Sequence, residues 1–402
     1  MSDFAAQLNQ ELEDIRRSGL VRELRRVDSP QSACLQMGGR AWLNFSSNDY
    51  LGLADHPALK AAASKAIETF GAGAGASRLI CGSLAPHHEL EDALAAFKGV
   101  EAVLSFSTGY AAAVGTITAL LDKDDILILD KLVHASIVDA ARLSGARLRV
   151  FAHNDLADLE KKLAWSRAQR DAAQRTTVKS PRVLVVTESV FSMDGDQAPL
   201  PELVALKNRY DAWLMVDEAH ATGLFGARRS GLVEQHGLTG QVEIQMGTLG
   251  KALGASGGFI GGCLALKELL VNRARSFIYS TAPVPAAAAA ARAAVELAQS
   301  AEGAERCATL WARVHQLHSA LQQTNLKLVD PVSPILPLIL GPEERAMMAA
   351  QQLREQGFFV PAIRYPTVAR GGARLRVTLS AAHSKAAVQK LADALITVLS
   401  HS

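Results

Sequence analysis

Cysteine is scarce: Cys34, Cys81, Cys263 and Cys307 are the only four in 402 residues, and they stand far apart. With no C-x-x-C pair and no zinc-type spacing, they exclude a disulfide framework, give no metal site, and fit reduced thiols in a cytoplasmic enzyme. Charge of one sign is missing too. Lys and Arg total 42 against 40 Asp and Glu, a net charge of +2, so nothing electrostatic points to nucleic acid or a membrane surface as a partner. Long hydrophobic runs are absent. The first residues mix Asp3, Glu11, Glu13 and Asp14 with Arg16 and Arg17, which does not read as a secretory signal. The alanine run 286–291 stops at Arg292, far short of a membrane span, and Pro283 and Pro285 before it mark the start of a close-packed helix. There is no internal repeat, low-complexity linker or charge block.

What is present is apolar content of 49%, enough to bury a substantial core in one large domain carrying a smaller one. Short apolar, β-branched runs recur at 102–106, 126–129, 148–151, 183–186, 213–216, 244–247 and 259–260. Most alternate with helical stretches rich in Ala and Leu, such as 90–97 and 200–210. That alternation predicts an α/β protein with a mostly parallel sheet between helices. Beyond about residue 295 the pattern changes. Helical stretches at 306–323 and 343–355 flank strand candidates at 335–340 and 374–379, which suggests a smaller α+β domain. The expected division is an arm (1–45) packed on that domain, a large domain (46–294) and the C-terminal domain (295–402).

In such sheets ligands bind beyond the C-terminal strand ends, and five strand ends here carry polar groups. They are Ser107-Thr108-Gly109-Tyr110, the Asp130-to-His134 run, Thr187-Glu188-Ser189, Asp217-Glu218-Ala219-His220 and Thr248-Leu249-Gly250-Lys251. Lys251 between glycines is either a solvated lysine or, in an apolar neighbourhood, a nucleophilic amine. Asp217 either caps a turn or serves as the anion that a protonated pyridine nitrogen needs. Together they suggest a lysine that captures pyridoxal phosphate and an aspartate that keeps its ring nitrogen protonated. His220 is either a satisfied core histidine or a contact to the cofactor's ring oxygen; His134 either starts a helix or stacks on the ring. The backbone N–H groups of Thr108-Gly109-Tyr110 at a helix N-terminus suit a phosphate, to which Thr248 would add a hydroxyl. The run Gly71-Ala72-Gly73-Ala74-Gly75 looks like a dinucleotide fingerprint but follows a helical segment (59–70) and lacks the final spacing. A nicotinamide reading is therefore rejected, and the run is expected to form a flexible loop ending at Ser77-Arg78.

These motifs, with the run from Leu43 to Gly52 and the run from Thr187 to Asp196, resemble the α-oxoamine synthases over almost the whole chain. These are pyridoxal-phosphate enzymes of the aspartate-aminotransferase fold. The resemblance implies that Lys251 holds the cofactor and moves the substrate's α-proton, with Asp217 on the ring nitrogen, His220 on the ring oxygen and His134 stacked. It further implies Ser192 facing the cofactor, a phosphate site of Gly109, Tyr110 and Thr248, and Thr281 reaching that site from the partner subunit of a homodimer. Asn48 and Arg376 would hold the amino acid carboxylate. Arg25 and Thr367 would contact the acyl substrate, although Arg22 and Arg26 lie close to Arg25 in the chain. The segment Ile363-Arg364-Tyr365-Pro366-Thr367-Val368 resembles the members that join L-alanine to a pimeloyl thioester, on CoA or a carrier protein. The alternatives are a sister synthase using glycine or serine and a non-catalytic partner subunit. Ala113 departs from the Asn usual at that position.

Overall fold

A computed structural model describes residues 3–174, 180–322 and 328–400. Thirteen strands follow one another in these segments: β1 (Cys34–Met37), β2 (Arg40–Asn44), β3 (Ala102–Phe106), β4 (Ile126–Asp130), β5 (Arg147–Phe151), β6 (Val183–Glu188), β7 (Trp213–Asp217), β8 (Ile244–Thr248), β9 (Gly258–Gly262), β10 (Ile335–Gly341), β11 (Phe358–Phe359), β12 (Ala362–Ile363) and β13 (Ala373–Thr378). Seven form one sheet in the order β3-β9-β8-β7-β6-β4-β5. The five from β8 to β5 pair in parallel, and only β9 runs against its neighbours.

The apolar runs are continuous because this sheet is covered on both faces. In β4 and β6, Ile126, Ile128, Val183 and Val185 join one hydrophobic cluster, whereas Leu127, Leu129, Leu184 and Val186 join another. The period of two along a strand thus sorts alternate residues into the two layers. Helices Gly109–Leu120, Ala135–Ser144 and Leu264–Arg273 cover the second cluster's face; Ala85–Lys98, Leu200–Arg209 and Pro285–Gln299 cover the other. The alanine run lies in Pro285–Gln299, whose Ala288, Ala291 and Ala294 are buried. Arg292 does not end that helix; it turns outward to Glu89 and Glu296.

Two smaller sheets complete the molecule, β10-β13-β12 and β1-β2-β11. In the second, arm strand β2 pairs in parallel with β11. The two-residue strands β11 and β12 are too short to leave a period in the sequence. Helix Glu343–Glu355 packs on these sheets, and Ala301–Leu321 and Lys385–Ser400 bury faces in the same core; residue 323, the expected end of the helix from Ala301, lies outside the described residues. The glycine run 71–75 follows helix Pro57–Phe70, as the rejection of a dinucleotide site requires. Its far end is anchored, because Arg78 is buried against Glu91 at 2.9 Å and Ser105 at 3.2 Å. No helix of the described residues is long and apolar enough to cross a membrane.

Candidate active site

Parallel strands β4, β6, β7 and β8 end on one rim with Asp130, Glu188, Asp217 and Thr248. Edge strand β5 comes between β4 and β6 along the chain, so these rim groups come from strands that are neighbours in space. Three residues beyond β8, the turn that carries Lys251 is closed by backbone bonds from Leu249 N–H to Gly257 and from Gly254 N–H to Lys251. Gly254 has φ 61°, and a Cβ there would come within 2.5 Å of Ala54 N, so only glycine lets this turn lie against the loop after Asn48.

The side chains then form a continuous polar path. Lys251 Nζ is 2.8 Å from His220 Nε2, and His220 Nδ1 is 2.6 Å from the Tyr50 hydroxyl. That hydroxyl is 3.4 Å from Asn48 Oδ1, which accepts an Arg376 Nη2–H at 3.2 Å. Arg376 also donates through Nε to the Ser192 carbonyl at 2.6 Å and through Nη1 to Thr378 Oγ1 at 3.0 Å. Three of its five N–H groups are thereby used, and one remains on each terminal nitrogen. The path runs from the end of the large sheet to β13 of the C-terminal sheet.

Supporting contacts fix both ends. Asp49 accepts from Leu53 N–H and Ala54 N–H, Ser380 donates to the Asp49 carbonyl, and Ala381 N–H donates to the Tyr50 carbonyl. Behind the rim, fully buried Lys98 and Glu218 form an ion pair, and Glu218 also accepts from Val233 N–H at 2.9 Å. This pins the turn that carries His220.

Burial dominates the electrostatics. It pushes Lys251 down to about 8, helped by Arg376 and opposed by Asp217 and Glu188. Asp217 is raised by burial and pulled back by Lys251 and by its bond from Ala219 N–H. Glu188, beside Asp217 in register, is pushed well above the usual carboxylate range by burial and then by the Asp217 charge. Its Oε1 is buried with no hydrogen-bond partner among the described residues. His220 is held well below the usual imidazole range by burial and by the Lys251, Arg376 and His134 charges.

His134 accepts the Ser136 N–H at 3.2 Å and caps helix Ala135–Ser144, so the helix-start reading holds; its ring is otherwise exposed on the same rim. Thr108 caps helix Gly109–Leu120 by accepting the Ala111 N–H, and a Cβ built on Gly109 would lie 3.8 Å from Thr248 Cβ. Gly109, Tyr110 and Thr248 are therefore together. The residues fit pyridoxal phosphate: an amine of lowered proton affinity, a buried carboxylate for a ring cation, and a helix N-terminus with a hydroxyl for a phosphate. Ala113 is fully buried in that helix, so no polar contact comes from it.

Other expected residues stand apart within the single chain. Thr281 pairs with Ser77 in an isolated bridge. Arg25 lies 5.6 Å over the Phe359 ring in a cavity of about 490 Å³ with Arg354 and Arg364. Thr367 borders a separate cavity of about 590 Å³ with Arg22 and Arg364, while Arg26 pairs outward with Asp28. Sequence reasoning assigned no role to Tyr50 or Glu188. Both lie inside motifs already noted, and the signal that singles them out is a polar group in a fully buried position.

The profile of the aminotransferase class I and II family matches residues 40–395. The chain is 45% identical to the 8-amino-7-oxononanoate synthase of Geobacter sulfurreducens, with 96% of each covered. It is 48% identical to that of Anaeromyxobacter dehalogenans over 97% of this chain and 94% of the relative. Among solved structures, serine palmitoyltransferase from S. paucimobilis with PLP and myriocin bound superposes with a TM-score of 0.89 at 30% identity, covering 98% of this chain and 97% of that one.

Proposed function

The chain belongs to the aminotransferase class I and II family, beside its 8-amino-7-oxononanoate synthase relatives, and from that premise we propose that it condenses L-alanine with a pimeloyl thioester. The products are 8-amino-7-oxononanoate, carbon dioxide and the free thiol of CoA or a carrier protein, a step of biotin biosynthesis. One observation carries the reading at the site: the side chains of Lys251, His220, Tyr50, Asn48 and Arg376 stand in series, each polar group within 3.4 Å of the next. A decarboxylative condensation at an α-carbon needs a base and a carboxylate holder that face the same atom.

When bound, the cofactor supplies an electron sink conjugated to the α-carbon. Asp217 would keep a proton on its ring nitrogen, His220 would donate to its ring oxygen, and His134 would cover its face. Gly109, Tyr110 and Thr248 would hold the phosphate, joined by Thr281 of the partner subunit in a homodimer, and Ser192 would line the site. Lys251, whose lowered pKa of about 8 keeps a working fraction of the amine unprotonated near neutral pH, takes the α-proton at Nζ and later returns one. Arg376 offers its two remaining N–H groups to the alanine carboxylate as a fork, with Asn48 beside it. Fixing that carboxylate selects which α-carbon bond aligns with the conjugated ring and is weakened. Arg25 and Thr367 take the acyl chain. In this reading residues 1–45 form an arm, 46–294 hold the cofactor, 295–402 close over the substrate, and the enzyme works in the cytoplasm.

The test is to incubate the purified protein with PLP, alanine and pimeloyl-CoA. Equal yields of carbon dioxide and thiol are expected, with glycine and serine poor substitutes. Thiol release with glycine and a short acyl-CoA but not with alanine would assign a sister reaction.

A further inference from the structure

Tyr50 is fully buried, and its hydroxyl has one proton to place. Two acceptors compete for it. His220 Nδ1 lies at 2.6 Å and Asn48 Oδ1 at 3.4 Å; the second is beyond the usual reach of an O–H bond, and that oxygen already receives an Arg376 N–H. Burial pushes the phenol up to about 12, against the pull of Arg376, so the proton stays on Tyr50 across the working range. A neutral imidazole has a single N–H. With Nδ1 accepting from Tyr50, that N–H sits on Nε2, 2.8 Å from Lys251 Nζ. A donor facing Lys251 is satisfied only by the lone pair of an uncharged amine.

We infer that Tyr50 is a positioning residue: its hydroxyl fills His220 Nδ1, sends the imidazole proton to Nε2, and so presents Lys251 with a donor that favours the free base. This rests on the reading of Lys251 as the reacting amine. Lys251 is also faced by Asp217 from β7, Glu188 from β6, Arg376 from β13 and His134 from the start of helix Ala135–Ser144. Tyr50→Phe keeps the ring and leaves the Asp217, Glu188 and His134 charges in place; the hydroxyl also interacts with Arg376, so the His220 tautomer is read directly as well.

In the opposite arrangement Nδ1–H donates to Tyr50, Nε2 accepts from a protonated Lys251, and removing the hydroxyl leaves that contact in place. The experiment uses the full-length chain freed of cofactor, acetylated at a series of pH values, with the modified Lys251 peptide quantified by mass spectrometry. Tyr50→Phe is expected to raise the Lys251 midpoint by about one unit, a tenfold gain in proton affinity. An unmoved midpoint in a folded variant overturns the inference. Histidine-selective ¹⁵N labelling of the wild-type chain decides independently of how the variant folds: a protonated His220 Nε2 supports it, and a protonated Nδ1 overturns it. Borohydride reduction of the PLP-loaded wild type separates the two layers. No label on Lys251 sinks the reading of the site itself, whereas label with an unmoved midpoint sinks only the role of Tyr50.

Discussion

The proposed cofactor side of the site and its proposed acyl side are built in different ways. On the cofactor side Asp217, His220 and Tyr50 are buried and every contact from Lys251 to Arg376 is made within one chain. On the acyl side Thr367 is exposed, and Arg25 and Arg22 border two different cavities that share Arg364. Electron-sink chemistry needs fixed protonation states, which burial and rigid partners supply. A long, flexible acyl chain needs a channel, and guanidiniums at a wet rim serve that without the cost of burying unpaired charge.

Replacing Lys251 by Ala strikes the rigid side hardest. Turnover, measured as thiol release, is expected to fall on the order of 10⁴-fold or more, and borohydride no longer fixes PLP to the chain. In the wild type the capture rate should rise with pH through about 8, because the amine reacts only as the free base and burial holds its pKa there. A midpoint near 10 would show an amine exposed to water.

Arg376→Ala breaks the join between the two sheets. Exchange of the alanine α-proton with deuterated solvent, followed by NMR at saturating alanine, is expected to slow about 10²-fold to 10³-fold, as for loss of a charge-assisted contact that orients the reacting bond. An unchanged exchange rate with only a higher KM would reduce Arg376 to an affinity contact. Arg25→Ala and Thr367→Ala should do the reverse, raising KM for the thioester by about 10-fold while leaving α-proton exchange intact. If either slows exchange, the two sides are not separable.

The large sheet was legible because a strand buried on both faces leaves an unbroken apolar run, and five of the seven runs ended in polar groups. Lys251, Asp217 and His220 could be placed on one rim for that reason. Tyr50 was not legible as a site residue, because its contact to His220 spans 170 positions and a tyrosine next to Leu51 reads as core. Glu188 was visible at its strand end, but only the structure shows that it lies beside Asp217 with an unmatched oxygen. The single-chain positions of Arg25, Thr367 and Thr281 follow from tertiary packing, which no local period encodes.

The rigid side also has a brace that sequence reading did not anticipate, and its loss should be the smallest effect. His153 lies between Asp130, at the end of β4, and Asp196, at 3.0 and 2.8 Å. Burial disfavours its charge, but the hydrogen bonds and charges of the two aspartates prevail and raise its pKa to about 10. A histidine raised in the folded state stabilises fully below its unfolded value of about 6.5, and that contribution is lost as pH rises through about 10. His153→Gln is therefore expected to cost about 1 to 2 kcal/mol at pH 6, read as a lower denaturation midpoint, with the gap to wild type closing toward pH 10. A gap that does not narrow with pH would mean that the ring's edge-on contact with Phe191 at 4.4 Å, and not its charge, holds the brace. Alanine α-proton exchange near neutral pH should stay within about twofold of wild type, since His153 contacts Asp130, Asp196 and Phe191 and none of the groups from Lys251 to Arg376.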